Sequence, residues 1–390
     1  MARLVALRLS LADGLLDALD RTWADGDAAL VLDPNIAPAL ADRMLESFAP
    51  DATIDVDGTA SRPDAPGIAD GTALVMTTSG STGAPKGVVL PWSTLHSSVA
   101  ASRTRLGAAD GVAWLGVLPL HHVAGIGVLL RSRAAGREPR MHDRDTPEIV
   151  DAAEPSWISL VPLQLQRLLD ANVDLARHVG VLLGGAAASP ALLARARTAA
   201  VHVVTSYGST ESCGGCVYDG RPLHNVQVRV QPSGRLAIRG PVIAAGLRQR
   251  NGEMTPLAVD GWLTTGDLGE VAADGTVRVL GRADDVVISG GENVPLAPVR
   301  AAVASLPDVA ACAVVGLPDA RWGTAVVAVV VPRDAGAPPT LAAVRAATRG
   351  MLPAAHRPTR LVVVGTLPVD GLGKVTPRTV APFAASPRTT

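Results

Sequence analysis

The chain has 390 residues, 48% of them hydrophobic, and a formal net charge of −1. This composition is typical of a globular protein of two or three domains, and it excludes a disordered or fibrous chain. Because 35 basic residues balance 36 acidic ones, the overall charge gives no attraction to nucleic acid or to an anionic membrane surface.

No export or membrane segment is expected in the first third of the chain. Arg8 and Asp13 interrupt the apolar N-terminal run before it reaches the length of a signal-peptide core. Residues 111–130 carry no formal charge, as a membrane span would, but Pro119 and the pair His121–His122 would be costly in hydrocarbon. We therefore interpret 111–130 as a buried strand, loop and helix.

From residue 73 onward, short β-branched runs alternate with helical stretches that are rich in Ala, Leu and Arg. This alternation predicts an α/β architecture with mostly parallel sheets. The predicted strands are 73–76, 112–118, 157–161, 181–183 and 201–204, and the predicted helices are 94–105, 163–169 and 190–199.

The pattern changes near residue 222, where short strands with frequent glycine turns predict a barrel-like β subdomain that ends near residue 280. The residues that follow predict a small α+β domain of ordinary size. We thus predict an N-terminal domain over 1–283 and a C-terminal domain over 284–390. The elements predicted in these two regions are strands at 227–230, 235–239, 276–280, 311–315, 325–331 and 361–364, a helix at 298–305, and a frayed tail after residue 381.

Lysine is scarce in this sequence. The chain has 33 arginines but only two lysines, Lys86 and Lys374, and both stand in glycine-rich segments. An ammonium group is compact and can reach a single phosphate or carboxylate oxygen, whereas a guanidinium is a planar fork. We interpret the two lysines as candidate functional residues; the alternative is that they are surface lysines without a role.

The segment 77–87 follows an apolar strand and combines glycines, hydroxyl side chains and one of the two lysines. Glycines allow successive backbone N–H groups to face one anion, so we predict a phosphate-binding loop. It is not a Walker loop, because Gly87 follows the lysine where a Walker loop has Ser or Thr. The candidate phosphate-binding residues are Thr78, Ser79, Gly80, Ser81, Thr82, Gly83 and Lys86.

Five segments, in chain order, resemble the motifs of the adenylate-forming enzymes, the superfamily of acyl-CoA synthetases, nonribosomal peptide adenylation domains and beetle luciferases. Five matches in order are far more specific than any single one. The resemblance implies a large N-terminal domain and a small C-terminal domain that turns about Asp284. The segments are the phosphate loop at 77–87, the aromatic-Gly-x-Thr-Glu motif at 207–212, the ribose motif at 261–267, the hinge segment at 281–285 with 290–293, and the lysine loop at 373–374.

The resemblance also assigns roles to individual residues. Tyr207 would offer a ring on which adenine stacks, and Thr210 a hydroxyl group for the α-phosphate. Glu211, together with Thr82, would supply oxygen ligands for Mg²⁺. The ribose is expected at Asp267 and Arg282, although an aspartate in such a turn commonly caps it. The other nucleotide-binding residues that the resemblance implies are Gly184, Gly185, Ala186, Ser206 and Gly208.

The implied reaction has two halves. A substrate carboxylate attacks the α-phosphate of ATP to give an acyl-adenylate and pyrophosphate, while Lys374 and Lys86 offset the charge on the phosphates. The domain turn then withdraws Lys374 and presents residues 290–293 to CoA, whose thiol displaces AMP. The resemblance therefore implies ATP, Mg²⁺, CoA and a small carboxylate as reactants, with no nucleic acid as a partner. Whether the protein forms a homodimer stays open.

Further segments resemble the o-succinylbenzoate:CoA ligases of menaquinone biosynthesis. His122 aligns with the histidine beside the acyl carboxylate, and Arg131 stands at a position like that of the arginine that holds the distal carboxylate. Ser159 begins a Ser-Leu-Val-Pro-Leu-Gln segment that departs from the ligases at Leu163, where they have Thr. Gly185 and Ser209 complete the substrate-binding set that the resemblance implies.

Other interpretations stay open. An arginine at a helix end is commonly solvated or paired with the helix dipole. The protein could be a CoA ligase for another aromatic or short-chain acid, or a nucleotide-binding module without catalytic activity. Retention of both lysines and of the acidic residues of the motifs favours an enzyme.

The cysteines predict a reducing environment. Cys213, Cys216 and Cys312 are too few for a disulfide framework, so we predict a cytoplasmic protein. The spacing of Cys213 and Cys216 also allows a metal or redox site, but no second pair completes a zinc ligand set. We favour two small residues that pack beneath the acyl site.

Overall fold

A computed structural model gives the structure of the chain. It describes residues 1–79, 85–249, 252–368 and 375–385, with Ser79, Pro85, Asp284 and Asn293 described by their backbone alone. The chain divides into two compact units. The larger comprises Met1–Arg229, Ala237–Thr264 and Ala272–Val277, and the smaller comprises Val230–Leu236, Thr265–Val271 and Arg278–Thr390.

The larger unit begins with a mixed sheet whose aliphatic strands are buried on both faces. Leu4 and Ala6 pack on one face, and Val5 and Leu7 pack on the other, as strand alternation requires. Its elements are β1 (Leu4–Arg8), α1 (Leu15–Ala24), β2 (Ala28–Val31), α2 (Pro38–Phe48), β3 (Ala52–Asp55), β4 (Gly58–Ser61), β5 (Thr72–Ser79), β6 (Pro85–Pro91) and α3 (Trp92–Leu106). β1, β2, β3 and β5 run parallel, and β4 and β6 pair antiparallel to β3 and β5.

A second sheet of the larger unit follows. Its elements are β7 (Trp114–Gly116), α4 (Val123–Ala134), β8 (Arg140–Met141), α5 (Pro147–Ala152), β9 (Trp157–Leu160), α6 (Pro162–Asp170), β10 (Gly180–Leu183), α7 (Pro190–Thr198), β11 (Val203–Ser209), β12 (Gly214–Tyr218) and β13 (Arg221–Pro222). The strand order is β13-β12-β11-β10-β9-β7-β8, parallel from β8 to β11 and antiparallel beyond. Pro at the start of α5, α6 and α7 fits the first turn of a helix, where its missing N–H is not needed.

The strands of the glycine-rich region are β14 (Gln227–Val230), β15 (Arg235–Arg239), β16 (Gly246–Arg248), β17 (Met254–Thr255), β18 (Leu263–Val271) and β19 (Val277–Arg282). β14, β15, β18 and β19 form a sheet in that order, which confirms a β-rich region here. β16 and β17 instead extend the first sheet, because β16 pairs antiparallel with β6.

The smaller unit continues with β20 (Val286–Ser289), β21 (Glu292–Pro295), α8 (Leu296–Ala304), β22 (Val309–Asp319), β23 (Gly323–Pro332), α9 (Leu341–Ala347), β24 (Arg360–Val363) and α10 (Pro377–Ala385). β22, β23 and β24 form a sheet that is buried on both faces. Val326 and Val330 pack on the face with α8 and α9, whereas Val327 and Val329 pack on the face with α10. The unbroken apolar run of β23 is typical of such a doubly covered strand.

The helix α4 has a central place in the larger unit. It packs against β7, β9 and β12, and its residues Ile126, Leu129 and Leu130 join the core that also holds α3 and the first sheet. The other face of the second sheet is covered by α5, α6 and α7. Side chains of α4 that face β7 and β9 are therefore enclosed between a helix and a sheet.

The α/β prediction is confirmed, with differences in detail. Antiparallel strands border the parallel ones in both large sheets, so the sheets are mixed. The strand predicted at 112–118 is shorter, and the one predicted at 201–204 begins at Val203 and continues to Ser209. The prediction of a frayed tail after residue 381 is wrong as far as Ala385, because α10 buries Val380 and Ala384 fully. The prediction missed the strands and helices before residue 73.

The lengths and the hydrophobicity of the helices bear on the prediction that no segment spans a membrane. Within the described ranges, none is both long enough and apolar enough to cross a bilayer. The uncharged segment 111–130 forms β7, a loop and most of α4, as predicted.

Candidate active site

Parallel strands bring several predicted site residues to one edge of the second sheet. β7, β9, β10 and β11 are neighbours and run in the same direction, so their carboxyl ends meet. Such an edge is where ligands bind in open α/β sheets. The residues that lie at or follow these ends are His121 and His122 after β7, Gly184, Gly185 and Ala186 after β10, and Ser206, Tyr207, Gly208 and Ser209 at the end of β11.

The aromatic-Gly-x-Thr-Glu motif owes its glycine to a close approach of two strands. β11 pairs with β12, and their register shifts between Tyr207 and Gly208. A Cβ atom on Gly208 would overlap the carbonyl oxygen of Gly214, so no larger residue fits there. Gly184 lies next to β11, because a Cβ atom on it would be 3.4 Å from the Cβ atom of Ser206. Tyr207 is half-buried on this strand.

Thr210 and Glu211 lie in a short 3-10 turn over Thr210–Ser212, directly after β11. The fully buried Ser212 holds this turn: its hydroxyl accepts a hydrogen bond of 2.8 Å from the Ser209 amide and donates to backbone oxygens. The Glu211 carbonyl accepts the amide of Ala244 at 2.9 Å, and the next amide, that of Ala245, reaches Val89 on β6. These bonds bring the turn beside the strand that carries Lys86.

The predicted phosphate loop is only partly described. Thr78 on β5 and Lys86 on β6 are register partners of one hairpin, and Lys86 is half-buried. Ser79 is described by its backbone as the last residue of β5. Gly80, Ser81, Thr82 and Gly83 lie outside the described residues. The hairpin therefore places the two ends of the loop opposite each other.

The two histidines stand just before α4. His122 is the N-cap residue of α4, with extended backbone angles, and the rings of His121 and His122 lie 4.4 Å apart between centroids. Burial lowers the pKa of His121, partly offset by the negative charge of Asp33. A neutral imidazole is thereby favoured next to His122.

Arg131 is buried, and no acidic residue of the described ranges pairs with it. Only 7% of its surface is exposed, and its side chain points toward β7 and β9 rather than to solvent. Its Nη2 donates a long hydrogen bond of 3.3 Å to the Ser159 hydroxyl, its Nε has no hydrogen-bond partner, and no ion pair of the described chain involves it. Burial lowers the pKa of Arg131. A buried cation with an unmet donor is costly by itself and is stabilised when an anion pairs with it.

The cysteines of the CxxC segment are buried thiols. Cys213 closes the Thr210–Ser212 turn with φ 55°, and its carbonyl accepts the Ser98 hydroxyl at 3.1 Å. Burial raises the pKa of Cys213 to about 12 and that of Cys216 to about 11, so both are protonated at neutral pH. Among the described residues no disulfide forms, and no cluster of three or more metal-ligating side chains is present.

The predicted ribose and hinge residues lie in the smaller unit. Asp267 on β18 is held by the Thr265 hydroxyl, which accepts its amide at 3.1 Å, and its carboxylate lies 3.7 Å from the guanidinium of Arg282. Asp284 is in the 3-10 turn Ala283–Asp285, with its backbone alone described. Lys374 lies outside the described residues.

Sequence reasoning missed Trp114 and Trp157. Both rings are buried. Trp114 lies under the guanidinium of Arg131, and Trp157 stacks on Trp114. Each tryptophan begins a short strand in an aromatic-poor chain, which was the available signal. The pairing of their strands was not evident from the sequence.

Comparison with known families identifies these features. Residues 15–265 match the family described as AMP-binding enzyme, and residues 299–374 match the AMP-binding enzyme C-terminal domain. The chain belongs to the AMP-binding enzyme family. The predicted resemblance to adenylate-forming enzymes is thereby confirmed.

Among curated AMP-binding enzymes, the chain is 39% identical to a Mycobacterium tuberculosis protein named "Probable 2-succinylbenzoate--CoA ligase", over 93% of this chain and 92% of that one. It is 30% identical to the 2-succinylbenzoate–CoA ligase of Enterococcus faecalis, over 78% of this chain and 68% of the relative. Both relatives carry the name of the ligase family that the motifs around Arg131 resemble.

Solved structures of AMP-binding enzymes share the fold. The o-succinylbenzoate CoA synthetase of Bacillus subtilis in complex with its acyl-adenylate intermediate matches 99% of this chain and 89% of that chain, with 25% identity and a TM-score of 0.86. The same synthetase in complex with ATP and magnesium ion matches 97% of this chain and 89% of that chain, with 26% identity and a TM-score of 0.85.

Proposed function

We propose that this AMP-binding enzyme is an ATP-dependent acid–thiol ligase that converts 2-succinylbenzoate to its CoA thioester through an acyl-adenylate. The observation that carries the choice of acid is Arg131, a buried guanidinium whose Nε has no hydrogen-bond partner and which has no acidic partner within the described ranges. An acid with two carboxylates can react through one and neutralise this cation with the other. The names of the relatives support the same acid.

The reacting carboxylate is proposed to lie at the carboxyl edge of β7, β9, β10 and β11. His122 at the start of α4 would orient the carboxylate, while Gly185 and Ser209 would line its path. Arg131 and Ser159 would hold the second carboxylate by charge-assisted hydrogen bonds. The reaction then requires the acid to point its free carboxylate toward α4 and its reacting carboxylate toward the nucleotide.

The nucleotide is proposed to lie along the same edge. Tyr207 would stack on adenine, with Gly184, Ala186, Ser206 and Gly208 leaving room for it. The phosphates would be held by Lys86, Thr78, Ser79 and Thr210 with residues 80–83, and the ribose by Asp267 and Arg282. Lys374 would donate to the oxygen atoms at the reacting phosphate, where charge develops in the transition state.

Magnesium is proposed to bind at Glu211 and Thr82. Glu211 offers a half-buried carboxylate on a rigid turn, and hard oxygen ligands are those that Mg²⁺ takes. The described residues form no cluster of three metal-ligating side chains, which suits an ion that takes its other ligands from phosphates and water. The ion would neutralise charge on the phosphates of ATP.

The domain arrangement is part of the proposal. Residues 1–283 would form the N-terminal domain and residues 284–390 a mobile domain that turns about Asp284 between the two half-reactions. The free, buried thiols and the use of ATP and CoA support a cytoplasmic site of action.

Release of pyrophosphate in the presence of Mg–ATP and CoA tests the proposed function. The acids to compare are 2-succinylbenzoate, benzoate, a medium-chain fatty acid and a panel of amino acids. We expect strong selectivity for 2-succinylbenzoate. Pyrophosphate release with another acid would support the ligase chemistry and contradict the choice of substrate. If no acid gave pyrophosphate release, the result would favour a nucleotide-binding module.

The role of Lys374 has a separate test. Lys374→Ala should abolish acid-dependent exchange of pyrophosphate into ATP and leave ATP binding largely intact, because the lysine acts on the transition state. Arg378→Ala removes a neighbouring exposed cation on α10 and serves as the matched control. Near-normal exchange of pyrophosphate into ATP in the Lys374 variant would contradict the proposed mechanism.

A further inference from the structure

The guanidinium of Arg131 rests on the indole of Trp114. The central carbon of the guanidinium lies 4.4 Å from the centroid of the Trp114 ring. Trp114 is 1% exposed and Arg131 is 7% exposed, so water screens little of this contact. A cation over the face of an indole is attracted by the ring quadrupole, and the attraction is strongest where water is excluded.

Trp114 is itself fixed by the sheet. Trp114 on β7 and Trp157 on β9 are register partners on neighbouring parallel strands, so both side chains project from the same face. Their rings stack, with centroids 5.9 Å apart and planes 21° apart. Ser159 lies two residues beyond Trp157 and projects from the same face, which is where its hydroxyl meets Arg131. The sheet therefore presents a ring and a hydroxyl to one guanidinium.

The helix limits the guanidinium from the other side. Gly127 precedes Arg131 by one turn of α4, and a Cβ atom on Gly127 would lie 3.3 Å from Nη1 and 3.4 Å from Nη2 of Arg131. The guanidinium thus lies in the space that the missing side chain leaves, between α4 and the indole.

We propose that Trp114 is a positioning residue that fixes the Arg131 guanidinium, and through it sets the selectivity of the enzyme for an acid with a second carboxylate. This inference rests on the proposed function, because it assigns the second carboxylate to Arg131. Trp114 touches neither the reacting carboxylate nor the nucleotide in this assignment. Its effect is on the binding of the acid, not on the chemical step.

Selectivity is measured as the kcat/KM for 2-succinylbenzoate divided by the kcat/KM for a single-carboxylate analogue. The two analogues are benzoylpropionate, which lacks the ring carboxylate, and o-propionylbenzoate, which lacks the chain carboxylate; the one that retains the reacting carboxylate is the reference. Trp114→Leu should lower the ratio roughly 10- to 30-fold, through KM rather than kcat, as the loss of a desolvated cation–π contact predicts. Trp114→Phe keeps a weaker aromatic face and should lower the ratio less, so it also tests the inference if the leucine variant folds poorly.

A second tryptophan supplies the matched control. Trp23 lies 5.8 Å from the guanidinium carbon of Arg133, which is also on α4, and its indole N–H donates to the Ala73 carbonyl. Trp23→Phe should therefore disturb packing without changing the ratio. In an Arg131→Met background, Trp114→Leu should cause no further loss of selectivity, because the two residues act as one unit.

The outcomes separate the inference from the proposed function. If the unaltered enzyme does not prefer 2-succinylbenzoate over the reference acid, the proposed function fails and the inference fails with it. If Arg131→Met removes the preference but Trp114→Leu and Trp114→Phe both keep it, the inference alone is overturned. A general fall in kcat with both acids and an unchanged ratio would likewise show a merely structural role for Trp114.

Discussion

Among the described residues of the larger unit, two arginines are buried, and their surroundings differ sharply. Arg248 on β16 is 5% exposed and donates to the carbonyl oxygens of Phe48 and Gly67 at 2.8 Å each and of Ala49 at 3.5 Å. Arg131 on α4 is 7% exposed, yet it has one long hydrogen bond and an Nε without a partner. Burial lowers the pKa of both.

We propose that the difference separates an arginine that supports the fold from one that binds the substrate. Phe48 and Ala49 stand at the C-terminal end of α2, so Arg248 satisfies carbonyls that a helix end leaves free and complements the helix dipole. Arg131 satisfies no such backbone group in the described chain. The Ser159 hydroxyl that accepts its 3.3 Å hydrogen bond lies on β9, one residue before the carboxyl end of that strand. A buried charge with an unmet donor needs an explanation, and a ligand of opposite charge would supply one.

The largest expected effect comes from Arg131→Met. This change should lower the selectivity ratio for 2-succinylbenzoate roughly 100- to 1,000-fold, because two charge-assisted hydrogen bonds to a buried carboxylate are lost. The free energy of unfolding should stay the same or rise, by up to about 2 kcal/mol, since an unpaired buried charge is removed. Steady-state kinetics and urea denaturation measure the two quantities. A large loss of stability would mean that Arg131 supports the fold as Arg248 does, which would contradict the proposed difference between the two arginines.

The matched change at Arg248 should lower stability and leave selectivity unchanged. Arg248→Met strands the carbonyl groups at the end of α2 and should lower the free energy of unfolding by about 2–5 kcal/mol. Selectivity between the two acids should not change, because Arg248 lies in the first sheet and contacts backbone alone among its described hydrogen bonds. A changed selectivity ratio in folded enzyme would contradict this assignment.

Ser159→Ala should have a smaller effect on the Arg131 region. It removes the acceptor of the 3.3 Å hydrogen bond from Arg131 and should lower the selectivity ratio roughly threefold to tenfold. Ser156→Ala is the matched control, since Ser156 is 2% exposed and its hydroxyl donates to the Glu154 carbonyl instead. Equal effects of the two changes on the selectivity ratio would mean that Ser159 does not bind the second carboxylate.

The last prediction does not concern selectivity, and it tests whether water is excluded from the region around Arg131. Burial raises the pKa of the neighbouring Cys213 thiol from 9.0 to about 12, so the folded chain keeps this proton where the unfolded chain releases it. Stability from this thiol is complete below pH 9 and falls above it, by about 1.4 kcal/mol per pH unit, until the folded pKa is reached.

Urea denaturation between pH 8 and about pH 11 measures that slope. Cys213→Ala should flatten the decline in the stability of the larger unit, whereas Cys312→Ala, the same change in the smaller unit, should not. An unaltered slope in the Cys213 variant would mean that water reaches the thiol, and with it the space around Arg131.

The sequence predicted the motifs well because each is a local property. Glycines, hydroxyls and the two lysines define the loop at 77–87 and the segment near Lys374 by neighbours in the chain, and most strands after residue 73 follow from their β-branched runs. Arg131 was singled out by its resemblance to the arginine of the o-succinylbenzoate:CoA ligases, at a position after the His121–His122 segment. The sequence could not show which side chains contact each other in the folded chain.

The arrangement around Arg131 shows that limit. The stack of Trp114 and Trp157 depends on the register of β7 and β9, which are more than 40 residues apart in the chain. The elements before residue 73 were missed for a related reason. β2 is apolar throughout and β1 is apolar apart from its last residue, Arg8, and both strands are buried on both faces. They therefore lack the alternation that marks a half-exposed strand.

The central claim is that Arg131 has no acidic partner among the described residues so that a substrate carboxylate can fill that place. The most direct measurement is the kcat/KM of the unaltered enzyme for 2-succinylbenzoate and for the analogue that keeps the reacting carboxylate and lacks the other. The account predicts a preference of roughly 100-fold or more for the dicarboxylate. Equal kcat/KM values for the two acids would contradict it, because the second carboxylate would then contribute nothing to binding.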